Sequence, residues 1–205
     1  MKIVRFQFNM FGENCYLVYE PQSREAMIVD PGMLSPSECE SIDGYIARED
    51  LRVKYLVNTH LHLDHCFGNA HIERKYGVKT RAHEADAPLG RNISGRARMF
   101  GFFNDFENIG EIEPLTDGDI LTLGAEQVTV ISTPGHSPGG ISLYAPADGW
   151  VITGDTLFAD GNVGRTDLPG GDYNTLMESV RKLRRLPGPT SLLPGHGPGS
   201  TIAES

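Results

Sequence analysis

Apolar residues recur along the chain in short runs separated by glycine and proline, the spacing of a mixed α/β protein. Residues 2–8 and 14–19 read as strands, with a turn at Gly12 between them. A third strand, Ala26-Met27-Ile28-Val29, runs into the turn signal Asp30-Pro31-Gly32. Ser35-Pro36-Ser37-Glu38 then opens a helix to about Arg48, with serine at the cap and proline in the first turn. Residues 53–58 predict a buried strand, 67–76 a helix stopped by Gly77, and 78–82 a short strand. The second half is mostly strands, at 119–123, 127–132, 141–144 and 150–153, with turns near Gly124 and Gly149. One helix, over 172–186, carries Leu176, Val180 and Leu183 at helical spacing. Asp172 caps its start, and Arg181, Lys182, Arg184 and Arg185 sit at the end that favours cations. A last strand over 191–193 leads into Pro194-Gly195-His196-Gly197. This order predicts two packed sheets with helices outside.

The stretch 83–110 carries the weakest pattern. Residues 85–93 read as helical despite Pro88 and Gly90. Met99-Phe100-Gly101-Phe102-Phe103 with Phe106 forms an aromatic cluster, either core or the wall of a substrate pocket.

Composition then narrows the function. Apolar content of 39% and charged content of 22% describe an ordinary globular chain, and 205 residues suit one domain over 1–205. A net charge of −9 argues against nucleic acid as a partner, because that affinity rests on Lys and Arg. No apolar run approaches the length of a membrane span, and residues 1–19 lack the unbroken apolar core of a signal peptide. Cys15, Cys39 and Cys66 form an odd, scattered set without a CxxC spacing, so reduced thiols and a cytoplasmic location are expected.

The chemistry concentrates in Asn58-Thr59-His60-Leu61-His62-Leu63-Asp64-His65, just past the apolar strand. His60 and His62 lie two apart and point the same way on an extended backbone, whereas the adjacent Asp64 and His65 turn to different sides. Such a segment suits two neighbouring ions better than one. Three later blocks share its design, each a potential ligand beside glycine after an apolar strand: Pro134-Gly135-His136, Gly154-Asp155 and Gly195-His196. Glycine allows tight turns and close approach, and strand-end loops are where a rigid sheet presents functional side chains. Five of the seven histidines fall in these blocks; His71 and His83 read as surface residues. Imidazoles and carboxylates without thiolate suit zinc, iron or manganese and do not choose among them; the expectation is two divalent ions, zinc before iron or manganese.

The four blocks resemble the metallo-β-lactamase superfamily over nearly the whole chain. Asn-Thr-His-Leu-His-Leu-Asp-His, Thr133-Pro134-Gly135-His136-Ser137-Pro138-Gly139-Gly140, Gly154-Asp155-Thr156-Leu157-Phe158 and Gly164-Arg165-Thr166-Asp167 are similar to its short glyoxalase II-like branch. The resemblance implies a four-layer αββα sandwich with all four loops at one edge of the sheets. It implies a first metal held by His60, His62 and His136, a second held by Asp64, His65 and His196, and Asp155 bridging both. Asp30 matches a position that braces the ligand loop, a turn cap being the alternative. Arg165 and Asp167 could reach a substrate carboxylate or simply pair at the surface. Glyoxalase II proper adds a helical domain that helps bind glutathione; only nine residues follow His196 here, so the thiol stays open. Cys66 stands where the family carries glycine and reads as small filler.

Two divalent ions sharing a water bring its pKa toward about 7. The expectation is a metal-dependent hydrolase of small thioesters, monomeric or homodimeric, in which a bridging hydroxide attacks the carbonyl and Asp64 orients it. The alternative is a mononuclear non-haem iron persulfide dioxygenase. That family is similar too, and its two-His, one-carboxylate face would fall on His60, His136 and Asp155.

Overall fold

The computed structural model describes residues 1–103 and 106–205; positions 104–105, within the stretch of weakest pattern, lie outside the described residues. In chain order the strands are β1 (Lys2–Phe8), β2 (Glu13–Tyr19), β3 (Glu25–Val29), β4 (Arg52–Val57), β5 (Thr80–Ala82) and β6 (Glu113–Pro114), which form one sheet in that same order. A second sheet runs β12-β11-β10-β9-β8-β7. It is built from β7 (Ile120–Leu123), β8 (Glu126–Ser132), β9 (Ile141–Ala145), β10 (Trp150–Gly154), β11 (Ser191–Pro194) and β12 (Ser200–Thr201). Hairpins keep β1–β3 and β7–β10 antiparallel, while helical crossovers make β3–β4, β4–β5 and β10–β11 parallel.

The helices are α1 (Pro36–Arg48), α2 (Leu63–Cys66), α3 (Asn69–Tyr76), α4 (Ala87–Gly90), α5 (Ile93–Met99) and α6 (Tyr173–Leu183). Strand alternation sorts their partners. Tyr16, Val18, Met27 and Val29 face inward and meet Val128, Val130, Leu143 and Ile152 of the other sheet. On the opposite face of the first sheet, Leu17, Ile28 and Leu56 pack under Ile42 and Ile46 of α1 and Ile72 of α3. Outside the second sheet, Val151 and Leu192 are covered by Val180 and Leu183 of α6. The result is the expected αββα layering.

Local chemistry sets the helix ends. Ser35 accepts from the Glu38 amide while the Glu38 side chain reaches back to the Ser35 amide, a complete capping box. Asp172 accepts from the Thr175 amide at the start of α6. Three expectations need correction. The helix expected over 67–76 begins only at Asn69; a separate short helix, Leu63–Cys66, ends before it, and between the two lies Gly68, whose amide donates to the Pro31 carbonyl at 2.7 Å. A Cβ at Gly68 would sit 2.7 Å from that oxygen. The helix expected over 172–186 stops at Leu183, three residues short of Leu186, where the following Pro187 disfavours helical backbone. Residues 85–93 are not one helix: a single 3-10 turn, Glu84–Asp86, precedes α4, and Asn92 separates α4 from α5.

Part of the aromatic cluster is core and part is exposed. Phe102 and Phe106 stack around Phe67 in a satellite core with Leu61, Ile93 and Ile109. Phe100 and Phe103 are exposed. His71 is half-buried, with Nε2 2.9 Å from Asp43 Oδ2, so it is tied between α3 and α1 instead of lying free on the surface. The three cysteines are free thiols; that of Cys66 donates to the His62 carbonyl at 3.1 Å, and burial pushes its pKa up to about 12. No helix among the described residues is long and apolar enough to cross a membrane.

Candidate metal centre

Loops leaving β4, β8, β10 and β11 meet at one rim of the two sheets. His60, His62 and His136 bring one ligand atom each within 4.8 Å of one another, and so do Asp64, His65 and His196. Asp155 lies between the groups. Its Oδ1 is 3.5 Å from His65 Nε2, and its Oδ2 is 3.6 Å from Nε2 of both His136 and His196. All seven residues expected as ligands therefore converge.

Glycines permit this crowding. A Cβ at Gly195 would lie 2.3 Å from Asp155 Oδ1, and one at Gly164 would lie 2.7 Å from His136 Nδ1. Gly154 adopts φ of 51°, and a Cβ there would lie 2.3 Å from Thr59 Oγ1.

The outer nitrogen of four imidazoles is occupied. His65 Nδ1 approaches Asp30 Oδ2 at 3.2 Å, His136 Nδ1 donates to the Arg165 carbonyl at 2.7 Å, and His196 Nδ1 donates to the Phe11 carbonyl at 3.2 Å. Thr59 donates its hydroxyl to Asp30 Oδ2 at 2.6 Å and so accepts from His60 Nδ1 at 3.1 Å. The network thereby assigns the tautomers and turns Nε2 of His60, His65, His136 and His196 toward the centre. His62 instead offers Nδ1, which lies 2.8 Å from His136 Nε2.

Electrostatics split the centre in two. Burial, reinforced by the surrounding imidazoles, lowers His60 well below the usual histidine range and takes His62 down to about 3. Both imidazoles are therefore neutral at pH 7, the form in which a histidine can bind a metal. Burial also opposes charge on His65, but Asp155 and Asp64 outweigh it and raise its pKa. At His196 burial is likewise overcome, chiefly by the hydrogen bond to Asp64. Asp64 and Asp155 are held low by His65 despite their burial.

The centre fits a cation. His60 Nε2 and Asp155 Oδ1 are buried with no hydrogen-bond partner, a costly arrangement unless something positive sits between them. Nitrogen and carboxylate donors without a thiolate suit a borderline or hard divalent ion.

Three contributors escaped sequence reasoning. Asp86 accepts from the Leu61 amide at 3.0 Å, the Ser137 hydroxyl at 2.8 Å and the Gly139 amide at 2.6 Å, clamping the first ligand loop to the second. Glu13 is fully buried, 4.0 Å from His65 Nδ1, with neither oxygen hydrogen-bonded, and burial raises its pKa well above the carboxylate range. Arg96 lines the cleft above the centre. The start of a strand gave the only signal for Glu13, and Pro88 marking a helix start just after Asp86 was the signal for that residue. Arg165 lines the same cleft, but its Nε and Nη2 both hold Asp167, at 2.7 and 2.6 Å.

The metallo-beta-lactamase superfamily model matches residues 9–196, most of the chain. The chain belongs to this superfamily. Hydroxyacylglutathione hydrolase GloC of Haemophilus influenzae is 34% identical over 206 residues, covering 100% of this chain and 94% of that protein. Among solved structures, the BLEG-1 B3 metallo-beta-lactamase superposes with a TM-score of 0.87 at 29% identity, covering 99% of this chain and 95% of the other. TTHA1623 in a di-iron-bound form superposes with a TM-score of 0.84 at 31% identity, covering 99% and 96%. The superfamily binds divalent metals, and this member carries a histidine-rich site to hold them.

Proposed function

We propose that the protein is a dinuclear metal-dependent thioesterase acting on hydroxyacyl thiols. His60, His62 and His136 would hold one ion, Asp64, His65 and His196 the other, and Asp155 both. The observation that carries this reading is the position of Asp155, with one oxygen toward His65 and the other toward His136 and His196. A carboxylate so placed serves two ions better than one. The name of the GloC relative and the di-iron form of TTHA1623 support it.

When bound, such a pair of ions supplies a water ionised near neutral pH and a Lewis acid for the carbonyl. The chain's own residues do the rest. Asp30, Thr59, Phe11 and the Arg165 carbonyl fix the imidazoles, so little reorganisation accompanies reaction. Asp64 reaches His196 Nε2 at 3.2 Å and stands at the edge of the cleft, where it can orient a water. Leu63, Phe102 and Leu168 line that cleft and give it an apolar wall for the acyl group. A thiolate leaves without protonation, so no general acid is required of the chain.

The test is a substrate panel on metal-loaded protein: hydroxyacyl thioesters, a β-lactam, and glutathione persulfide with an oxygen electrode. Thioester cleavage without oxygen uptake is expected. Oxygen consumption on the persulfide with no thioester turnover would reassign His60, His136 and Asp155 to a single iron.

A further inference from the structure

Arg96 has the geometry of a ligand clamp. It sits on α5, and its Nη1 donates to the Leu61 carbonyl at 2.9 Å and the Leu89 carbonyl at 3.2 Å. Leu61 is the residue between His60 and His62, so the guanidinium is tethered to the metal-binding loop itself. A guanidinium carries five N–H donors in a planar fork, of which these bonds use two. Nε and Nη2 form no hydrogen bond among the described residues, and no described carboxylate lies within ion-pair distance of the group, whereas Arg165 across the cleft is already neutralised by Asp167. Arg96 lines the cleft with His62, Asp64, Phe100 and Phe102. Asp86 and Asp64 act on this half-buried cation only from beyond ion-pair distance, so a guanidinium that lines the cleft with Nε and Nη2 free of described partners suits an anionic ligand. The planar edge matches a carboxylate bidentately.

We infer that Arg96 is a specificity-determining residue that binds a carboxylate of the substrate, so that the preferred thioesters are anionic. This rests on the thioesterase reading above. The carboxylate could belong to the acyl group or to the thiol, and the two sources are separable. Because Nη1 is pinned beside His60 and His62, the recognised carboxylate must lie a short, fixed distance from the thioester carbonyl.

Three compounds test this: acetyl-N-acetylcysteamine, neutral on both sides; succinyl-N-acetylcysteamine, anionic in the acyl part; and S-acetylglutathione, anionic in the thiol. Wild-type protein is expected to favour one anionic compound over the neutral one in kcat/KM. Arg96→Gln should collapse that preference about 10- to 100-fold, mostly through KM, as expected for a lost charge-assisted pair. Arg96→Lys should restore part of it. A uniform loss on all three compounds, or an unchanged preference, overturns the assignment. The thioether analogues, which cannot be hydrolysed, separate this inference from the catalytic one. Calorimetry should show tighter binding of the matching anionic thioether to metal-loaded wild type and not to Arg96→Gln, even if no thioester is cleaved. Equal binding by both proteins overturns it, and matching melting temperatures exclude misfolding.

Discussion

Asp30 Oδ2 stands 3.2 Å behind His65 Nδ1, and the same carboxylate takes the Thr59 amide on Oδ1 at 2.7 Å and the Thr59 hydroxyl on Oδ2 at 2.6 Å. One buried acid thus fixes His65 directly and His60 through Thr59. Asp30 adopts φ of 52°, which asparagine also tolerates, so Asp30→Asn preserves the backbone. Its expected effect is a fall of about 10- to 100-fold in metal affinity with the fold retained, measured by competition against a chromogenic chelator.

Gly195→Ala tests how tightly the loops are packed. The added methyl would lie 2.3 Å from Asp155 Oδ1 and 2.7 Å from His65 Cε1, and β11 leaves little freedom to retreat. The variant is expected to keep its far-UV circular dichroism and to purify with less than half the wild-type metal content. Wild-type metal content would show that the loops are looser than these distances indicate.

Asp86 joins the loops that carry His60 and His136, and removing it strands three donors in the interior. Asp86→Ala should lose about 3 kcal/mol or more of unfolding free energy in denaturant titration, since each unsatisfied buried group costs about 1–3 kcal/mol. Asp86→Asn, which retains an acceptor, should lose less.

Metal uptake should release protons. In the metal-free protein the pKa values of His65 and His196 are raised, so their nitrogens keep protons to higher pH than a free imidazole, and a metal must displace those protons. Affinity therefore rises with pH up to the raised values of these two histidines and levels off above them. His60 and His62 are shifted down, are neutral at pH 7, and add nothing to this slope. Calorimetry in two buffers of different ionisation heat measures the release. A buffer-independent heat would contradict it.

Much of this was legible in the sequence because the signals were local. Strand runs, the Ser35 cap and the four glycine-flanked blocks are each contained within a few residues, and the resemblance they carry located the layers and the rim. What stayed hidden depends on distant partners. Asp86 acquires its role only when α4 is laid beside the loops of Leu61 and Ser137, and Arg96 only when α5 packs over the first ligand loop. The break at Gly68 likewise comes from contact with Pro31, a residue 37 positions earlier in the chain. The two-residue strands β6 and β12 at the sheet edges have too little periodicity to be read at all.

The most direct measurement is to titrate metal-free protein with a divalent ion while following cleavage of a hydroxyacyl thioester and dissolved oxygen together. Activity is expected to climb until two equivalents are bound, with oxygen constant, and His196→Ala should saturate near one equivalent with little turnover. Full activity at a single equivalent, or oxygen uptake on a persulfide in place of thioester cleavage, would contradict a two-ion hydrolase.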